Sequence, residues 1–439
     1  MTTRARALAA TTVAGLALSL GLTFAPGVTA QAASPTDAFY SYTGSTPLAQ
    51  LAPGTVLRTR TIPYSIQGLS LPIKAVQVLY RTRDEQGRAV VNATTVVRPL
   101  ITIGKAKVVS YQSFYDSLNP ADEPSVAIAG GQGIGPAFTN IETALFSPLL
   151  LAGFTINIPD TEGQTADFAS GREYGYTTLD SLRAIGGASA TGVSPTSRTA
   201  LIGYSGGAIA SEWAAELATS YAPDVASNLV GTAIGGVLVA PGHNLHYVDG
   251  SGLWAGVMPM AIVGIARAAG ADLTPYLSDY GKQIYAEMQT KTIAQVLGAY
   301  PGLTWKQLAK PEYDQPEKVG LFLQLANELI MSTGGTPNAP MFVGQGTGGE
   351  LEGTPASATY GKGDGVMLAG DVRTLARTYC DRGVRVQYRE YATSHFTSMV
   401  PWLPEALAWT TARFTGLTAP SSCGSIAVGN SLAPQAALN

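Results

Sequence analysis

A chain of 439 residues that is 46% hydrophobic and only 13% charged holds enough apolar material for a sizeable core, either as one large domain with an insertion or as two domains. A net charge of −3 leaves no basic field for phosphates, which excludes nucleic acid as a partner. The 50 glycines and 27 prolines imply tight turns and long loops, a composition that suits an enzyme better than a helical bundle.

The first segment reads as a secretion signal over residues 1–32. Arg4 and Arg6 supply positive charge, an apolar stretch runs from Leu8 to Phe24, and Ala30-Gln31-Ala32 gives a small-x-small cleavage pattern, so the mature, extracellular chain is expected to start near Ala33. The apolar stretch is short for a membrane span and is broken by Gly and Pro near its end. Beyond it, Ala75–Tyr80 and Ala89–Val97 predict a hairpin about Asp84-Glu85-Gln86-Gly87. Lys107–Tyr111, Phe154–Ile158, Thr199–Tyr204, Gly235–Ala240, Met341–Gln345 and Val384–Tyr391 predict further strands, most of them nearly all apolar, as when both faces of a sheet are covered. Helical segments such as Thr178–Ala188 and Gly207–Leu217 alternate with them, which predicts an α/β fold with a mainly parallel, doubly wound sheet. From Gly242 to Pro337 the rhythm changes to helical runs, Leu253–Ala268 and Val319–Met331 among them. The expected organisation is therefore a core over 33–241, an inserted helical cap or lid over 242–337, and the rest of the core over 338–439.

The segment that carries chemistry is Gly203-Tyr204-Ser205-Gly206-Gly207, where an apolar strand runs through G-x-S-x-G into a helix. This is the pattern of a nucleophile elbow, with small residues required two before and two after the serine and the helix amides aimed at developing negative charge. A serine needs a base, and the base needs an orienting acid; in this pattern the chain order is Ser, acid, His. His395 follows the last expected strand, on a loop before a helix over Leu403–Phe414, and is the candidate base, while His243 and His246 read as lining or structural. Four carboxylates follow the strand at Met341–Gln345: Glu350, Glu352, Asp364 and Asp371. Asp364 lies in a glycine-rich loop, Gly361-Lys362-Gly363-Asp364-Gly365, whereas Asp371 reads as the start of a helix, stabilising its N-terminus. The two cysteines, Cys380 and Cys423, are expected to form a disulfide in an exported chain, and their wide spacing from the three histidines gives no metal site.

Further marks are Ser110-Tyr111-Gln112-Ser113-Phe114-Tyr115-Asp116-Ser117, Gly153 through Asp160, Leu179 through Ala184, and Tyr388 through Tyr391 shortly before His395. With the elbow at Ser205, these make the chain resemble the secretory lipases of the fungal lipase A type, in their bacterial branch. The resemblance covers most of the mature chain. It implies an α/β-hydrolase fold, ester hydrolysis, often of acylglycerols, a helical cap and no cofactor. It implies Ser205 as nucleophile, His395 as base, and backbone N–H groups of Asp116 and Gly206 as the oxyanion hole. It favours Asp364 as the acid, sixteen residues before Cys380, although the stretch Gly348–Gly363 stands between strand and acid as an insertion.

The expected function is that of a secreted serine ester hydrolase, a lipase acting on acylglycerols, whose partners are an ester substrate and, transiently, a lipid surface. The alternatives are a short-chain or polymer-ester esterase, a secreted peptidase of the same fold, and an inactive binding protein.

Overall fold

In a computed structural model, residues 37–102 and 104–438 are described. The segment read as a secretion signal, 1–32, lies outside them. Nine strands form one sheet in the order β1-β2-β3-β5-β4-β6-β7-β8-β9. They are β1 (Val56–Ile66), β2 (Leu69–Arg83), β3 (Ala89–Val97), β4 (Val108–Gln112), β5 (Thr155–Pro159), β6 (Thr199–Tyr204), β7 (Leu229–Gly235), β8 (Met341–Gly346) and β9 (Val386–Tyr391). The first three are antiparallel, β3 joins β5 antiparallel, and every pair from β5 through β4 to β9 is parallel.

The sheet is covered on both faces, and strand alternation divides the work. In β8, Met341 and Val343 enter the cluster shared with Leu179, Trp213, Val372 and Tyr379, whereas Phe342 enters the opposite cluster with Trp402 and Trp409. The covering helices include α1 (Gly171–Gly187) and α2 (Gly206–Tyr221), and later α7 (Ala369–Asp381) and α8 (His395–Arg413). Between β7 and β8 the chain forms α3 (Pro241–Val248), α4 (Val257–Ala269), α5 (Asp279–Met288) and α6 (Gly320–Glu328), joined by short helical turns. These pack about a cluster of their own that includes Leu245, Trp254, Met258, Val263, Met288 and Phe322. Among the described residues no helix is long and apolar enough to cross a membrane.

Two expectations are corrected, and one strand is added to those read from the sequence. The strand expected at Gly235–Ala240 is β7, which ends at Gly235. Gly236 takes φ 57° and turns the chain out of the sheet, yet Val237 and Val239 stay buried, so an apolar run persists without pairing. The strand β1 was not legible, because it holds Arg58, Arg60 and Pro63 on a sheet edge with most of its length only partly buried. His395 is the first residue of α8 rather than part of a loop before a later helix, since Ser394 forms a capping box with Thr397 there. The disulfide forms as expected, with Cα atoms of Cys380 and Cys423 5.5 Å apart, and ties the end of α7 to the C-terminal tail.

Candidate active site

The turn from β6 to α2 is possible only with glycine on both sides of Ser205. A Cβ on Gly203 would lie 2.0 Å from the Gly207 carbonyl oxygen, and one on Gly207 would lie 2.1 Å from the Gln112 carbonyl oxygen. Ser205 itself takes φ 53° and ψ −122°, a left-handed backbone that a non-glycine residue holds only under constraint from its surroundings. The strain places its hydroxyl at the carboxyl edge of the parallel sheet, at the head of α2.

At that edge three side chains expected from the sequence meet. His395 Nε2 lies 2.9 Å from Ser205 Oγ, and His395 Nδ1 lies 2.8 Å from Asp364 Oδ2. Asp364 is 0% exposed, and its charge is received by donors on every side. The amides of Val366 and Met367 donate to Oδ1 at 3.1 and 2.8 Å, and Gln345 Nε2 donates to Oδ2 at 3.0 Å. The backbone locks the pair a second time, since the His395 amide donates to the Asp364 carbonyl at 2.7 Å. The Tyr204 hydroxyl donates to the His395 carbonyl at 2.6 Å. Burial alone would lower the imidazole pKa, but the Asp364 carboxylate outweighs it, with Glu352 and Asp116 adding to the pull, and the net direction is upward. A hydroxyl bonded to an imidazole that is itself bonded to a buried carboxylate is the arrangement that turns a weak nucleophile into an effective one.

The other carboxylates fall elsewhere. Glu350 is exposed on the helical turn Gly349–Glu352. Glu352, on the same turn, accepts the indole N–H of Trp254 and the amide of Phe396, both at 2.9 Å. Asp371 sits in the first turn of α7 as expected, but its side chain does not cap the helix. It bonds His243 Nδ1 at 3.1 Å and Asn430 Nδ2 at 2.7 Å, and so joins α3 and the C-terminal tail to α7. His246 pairs with Glu317 instead. Neither histidine lines the cavity described below.

Asp116 lies opposite the elbow. A Cβ on Gly206 would lie 1.7 Å from Asp116 Oδ1, so the glycine after Ser205 leaves the room that this carboxyl occupies. Burial raises the Asp116 pKa to about 7, against the opposing pull of His395. Its loop is clamped by buried acids that the sequence reading did not single out. Glu142 accepts from Ser113 Oγ at 2.7 Å and from the Phe114 amide at 3.2 Å. Glu162 accepts from the Ser117 amide at 3.1 Å, and Asp122 from Ser117 Oγ at 2.7 Å. From the other side the helical segment holds the same loop: the Ile293 amide donates to the Asp116 carbonyl and the Leu118 amide to the Lys291 carbonyl, both at 2.8 Å.

Ser205, Gly206 and Asp116 open onto a cavity whose other walls are almost wholly apolar, including Leu238, Leu245, Trp254, Met258, Ile262 and Phe322. Within the helical run that begins at Leu253, Trp254, Met258 and Ile262 line this space. Leu253 and Met260 do not, and Met260 is 0% exposed within the helical cluster.

The secretory lipase family model matches residues 134–422. Lipase 1 of Candida albicans is 30% identical, over 88% of this chain and 82% of its own. Lipase A of Arthroderma benhamiae is 30% identical, over 84% of this chain and 78% of its own. The "Probable inactive lipase" of Mycobacterium tuberculosis is 29% identical, over 83% and 79%. Among solved structures, Candida antarctica lipase A in its closed state superposes with a TM-score of 0.76 at 24% identity, covering 92% of this chain and 91% of that one, which establishes a shared fold. The chain thus belongs to the secretory lipase family, with the α/β-hydrolase fold and the activity of a carboxylic ester hydrolase.

Proposed function

We propose that Ser205, His395 and Asp364 are the catalytic triad of a secreted lipase that acts on acylglycerols. The observation that carries this reading is the unbroken chain of hydrogen bonds from Ser205 Oγ through His395 to a fully buried Asp364. His395 Nε2 takes the hydroxyl proton as Ser205 Oγ bonds to the ester carbonyl carbon. The backbone N–H groups of Gly206 and Asp116 receive the oxyanion, each such donor being worth about 3–4 kcal/mol in comparable hydrolases. The imidazolium then protonates the departing alcohol, leaving an acyl-enzyme. Water, losing its proton to His395, attacks the acyl carbon and releases the acid and the free serine.

The segment 242–337 acts as a cap in this reading. The apolar walls that α3, α4 and α6 give the cavity suit a fatty acyl chain better than a short acid or a peptide. Residues 1–32 act as the export signal, and the Cys380–Cys423 bridge fits an oxidising compartment.

The test is a Ser205→Ala protein and a fluorophosphonate probe, with esters of graded chain length and an amide substrate alongside. The probe should label Ser205 and no other serine. The alanine protein should fold and hydrolyse no ester, and wild-type turnover should favour longer acyl chains. Labelling that fails at Ser205, or turnover that survives its loss, overturns the assignment.

A further inference from the structure

The mechanism above gives no task to one carboxylate beside the base. Glu352 closes the helical turn Gly349–Glu352 within the segment that separates β8 from Asp364. Its Oε2 accepts the Trp254 indole N–H and its Oε1 accepts the amide of Phe396, the residue after His395, both at 2.9 Å. The Trp254 ring meets the His395 imidazole edge-on with centroids 5.2 Å apart, and stacks on Phe396 at 5.2 Å. Gly365, next to the acid, makes room: a Cβ there would lie 2.8 Å from Glu352 Oε2 and 2.9 Å from Trp254 Nε1. One carboxylate thus joins the turn after β8, the first turn of α8 and the segment before α4.

We propose that Glu352 is a positioning residue for His395: its carboxylate fixes Trp254 and the first turn of α8 against the imidazole, and its charge adds to that of Asp364. This rests on the triad reading. The charged groups that act on His395 are Asp364, Glu352 and Asp116. Burial raises the Glu352 pKa and Asp364 adds to the rise, while His395, the Ser394 hydroxyl and the Phe396 amide oppose it; Tyr204 and Tyr247 are the other titratable groups that face it. The base works as neutral imidazole, so the acid limb of the rate profile marks its protonation. A nearby negative charge holds the proton on the ring, and loss of that charge moves the limb to lower pH.

The experiment compares wild type, Glu352→Gln, Glu352→Asp and Trp254→Phe. For each, kcat/KM and the rate of fluorophosphonate labelling are followed across the acid and neutral range, and folding is checked by melting. Glu352→Gln should move the acid limb down by about one unit, the lower end of what one neighbouring charge exerts. Glu352→Asp keeps the charge on a shorter arm and should hold the limb near its wild-type position even where kcat falls. Trp254→Phe loses the indole N–H and part of the ring but leaves the Glu352 carboxylate in place, and should also hold the limb, whatever it does to KM for long esters. A limb that stays put in Glu352→Gln overturns the proposal, as does one that moves equally in Glu352→Asp or Trp254→Phe. Should Glu352→Gln fail to fold, the Asp and Phe variants decide by the same criterion. Mass spectrometry of the labelled peptide separates the two layers: labelling at Ser205 with an unmoved limb removes only the role of Glu352, whereas labelling elsewhere removes the triad as well.

Discussion

The cavity has two walls, and they are built differently. On the sheet side, Ser205 and His395 stand where a strand gives way to a helix and Asp364 stands in the glycine-rich loop before α7, and each is fixed by backbone bonds as well as side chains. On the facing side, α3, α4 and α6 and their connecting turns pack about their own cluster of Trp, Met and Leu side chains. Several polar anchors join this side to the core, the bonds of Trp254 to Glu352 and of His243 to Asp371 among them. Arg267 is another, donating to the carbonyls of Leu118, Thr165 and Ala166 at 3.1, 2.8 and 3.2 Å, and the backbone bonds at Asp116 and Leu118 are a further one. Chemistry needs atoms held to within a fraction of an ångström, which parallel strands and tight turns supply. Acyl-chain fit needs only apolar volume of the right shape, which a helical cluster can vary without touching the triad.

If that division holds, the largest effect should come from the sheet side. Asp364→Asn preserves shape but favours the wrong imidazole tautomer, and should lower kcat by about 10⁴-fold with a small change in Tm. Asp371→Asn is its control. It should leave kcat nearly unchanged but lower Tm, because a buried acceptor for His243 or Asn430 is lost, at about 1–3 kcal/mol. Reversed results would transfer the acid role to Asp371.

The facing wall should give an intermediate effect that depends on substrate. Ile262→Trp fills part of the cavity and should cut kcat/KM for long-chain esters by roughly 10-fold or more, equivalent to about 1–3 kcal/mol of overpacking, while acetate esters are little affected. Equal loss on all esters would mean that the helical wall also sets the geometry of the triad or of the Asp116 loop.

Two further changes should act on stability and leave turnover nearly intact. Removing the Cys380–Cys423 bridge, which spans a sequence separation of 43, should cost about 4 kcal/mol in the chain-entropy model. Intact mass before and after reduction reports the bond, and melting reports its worth. The clamp beneath Asp116 should show itself instead in how stability depends on pH. Burial raises the Glu142 pKa to about 8, whereas an unfolded Glu titrates near about 4.3. The folded protein therefore keeps a proton that the unfolded chain releases, and stability should fall as pH rises between those values, by at most about 1.4 kcal/mol per unit for this group. Glu142→Gln should flatten that part of a Tm-against-pH curve. An unchanged slope would place the titrating group elsewhere, with Asp160, also raised to about 7 by burial, the next to substitute.

The residues legible in the sequence were those whose role is set by neighbours along the chain. The elbow is one, because its glycines answer clashes within a single turn. The parallel strands β4, β5, β6 and β8 are others, because burial on both faces leaves a continuous apolar run. The order Ser, Asp, His followed from the motif, and the loop glycines singled out Asp364. What tertiary structure alone decided are contacts between segments far apart in sequence. Asp371 read as a helix cap until α3 and the tail brought His243 and Asn430 to it. Met260 and Met258 are alike in composition and lie two residues apart on one helix, yet only Met258 reaches the cavity, because helical rotation turns them to different sides. Glu142 and Glu162 gave no signal at all, and Glu352 read only as one of four candidate acids, since a carboxylate is read from sequence as solvated and becomes a buried clamp only when distant backbone amides converge on it.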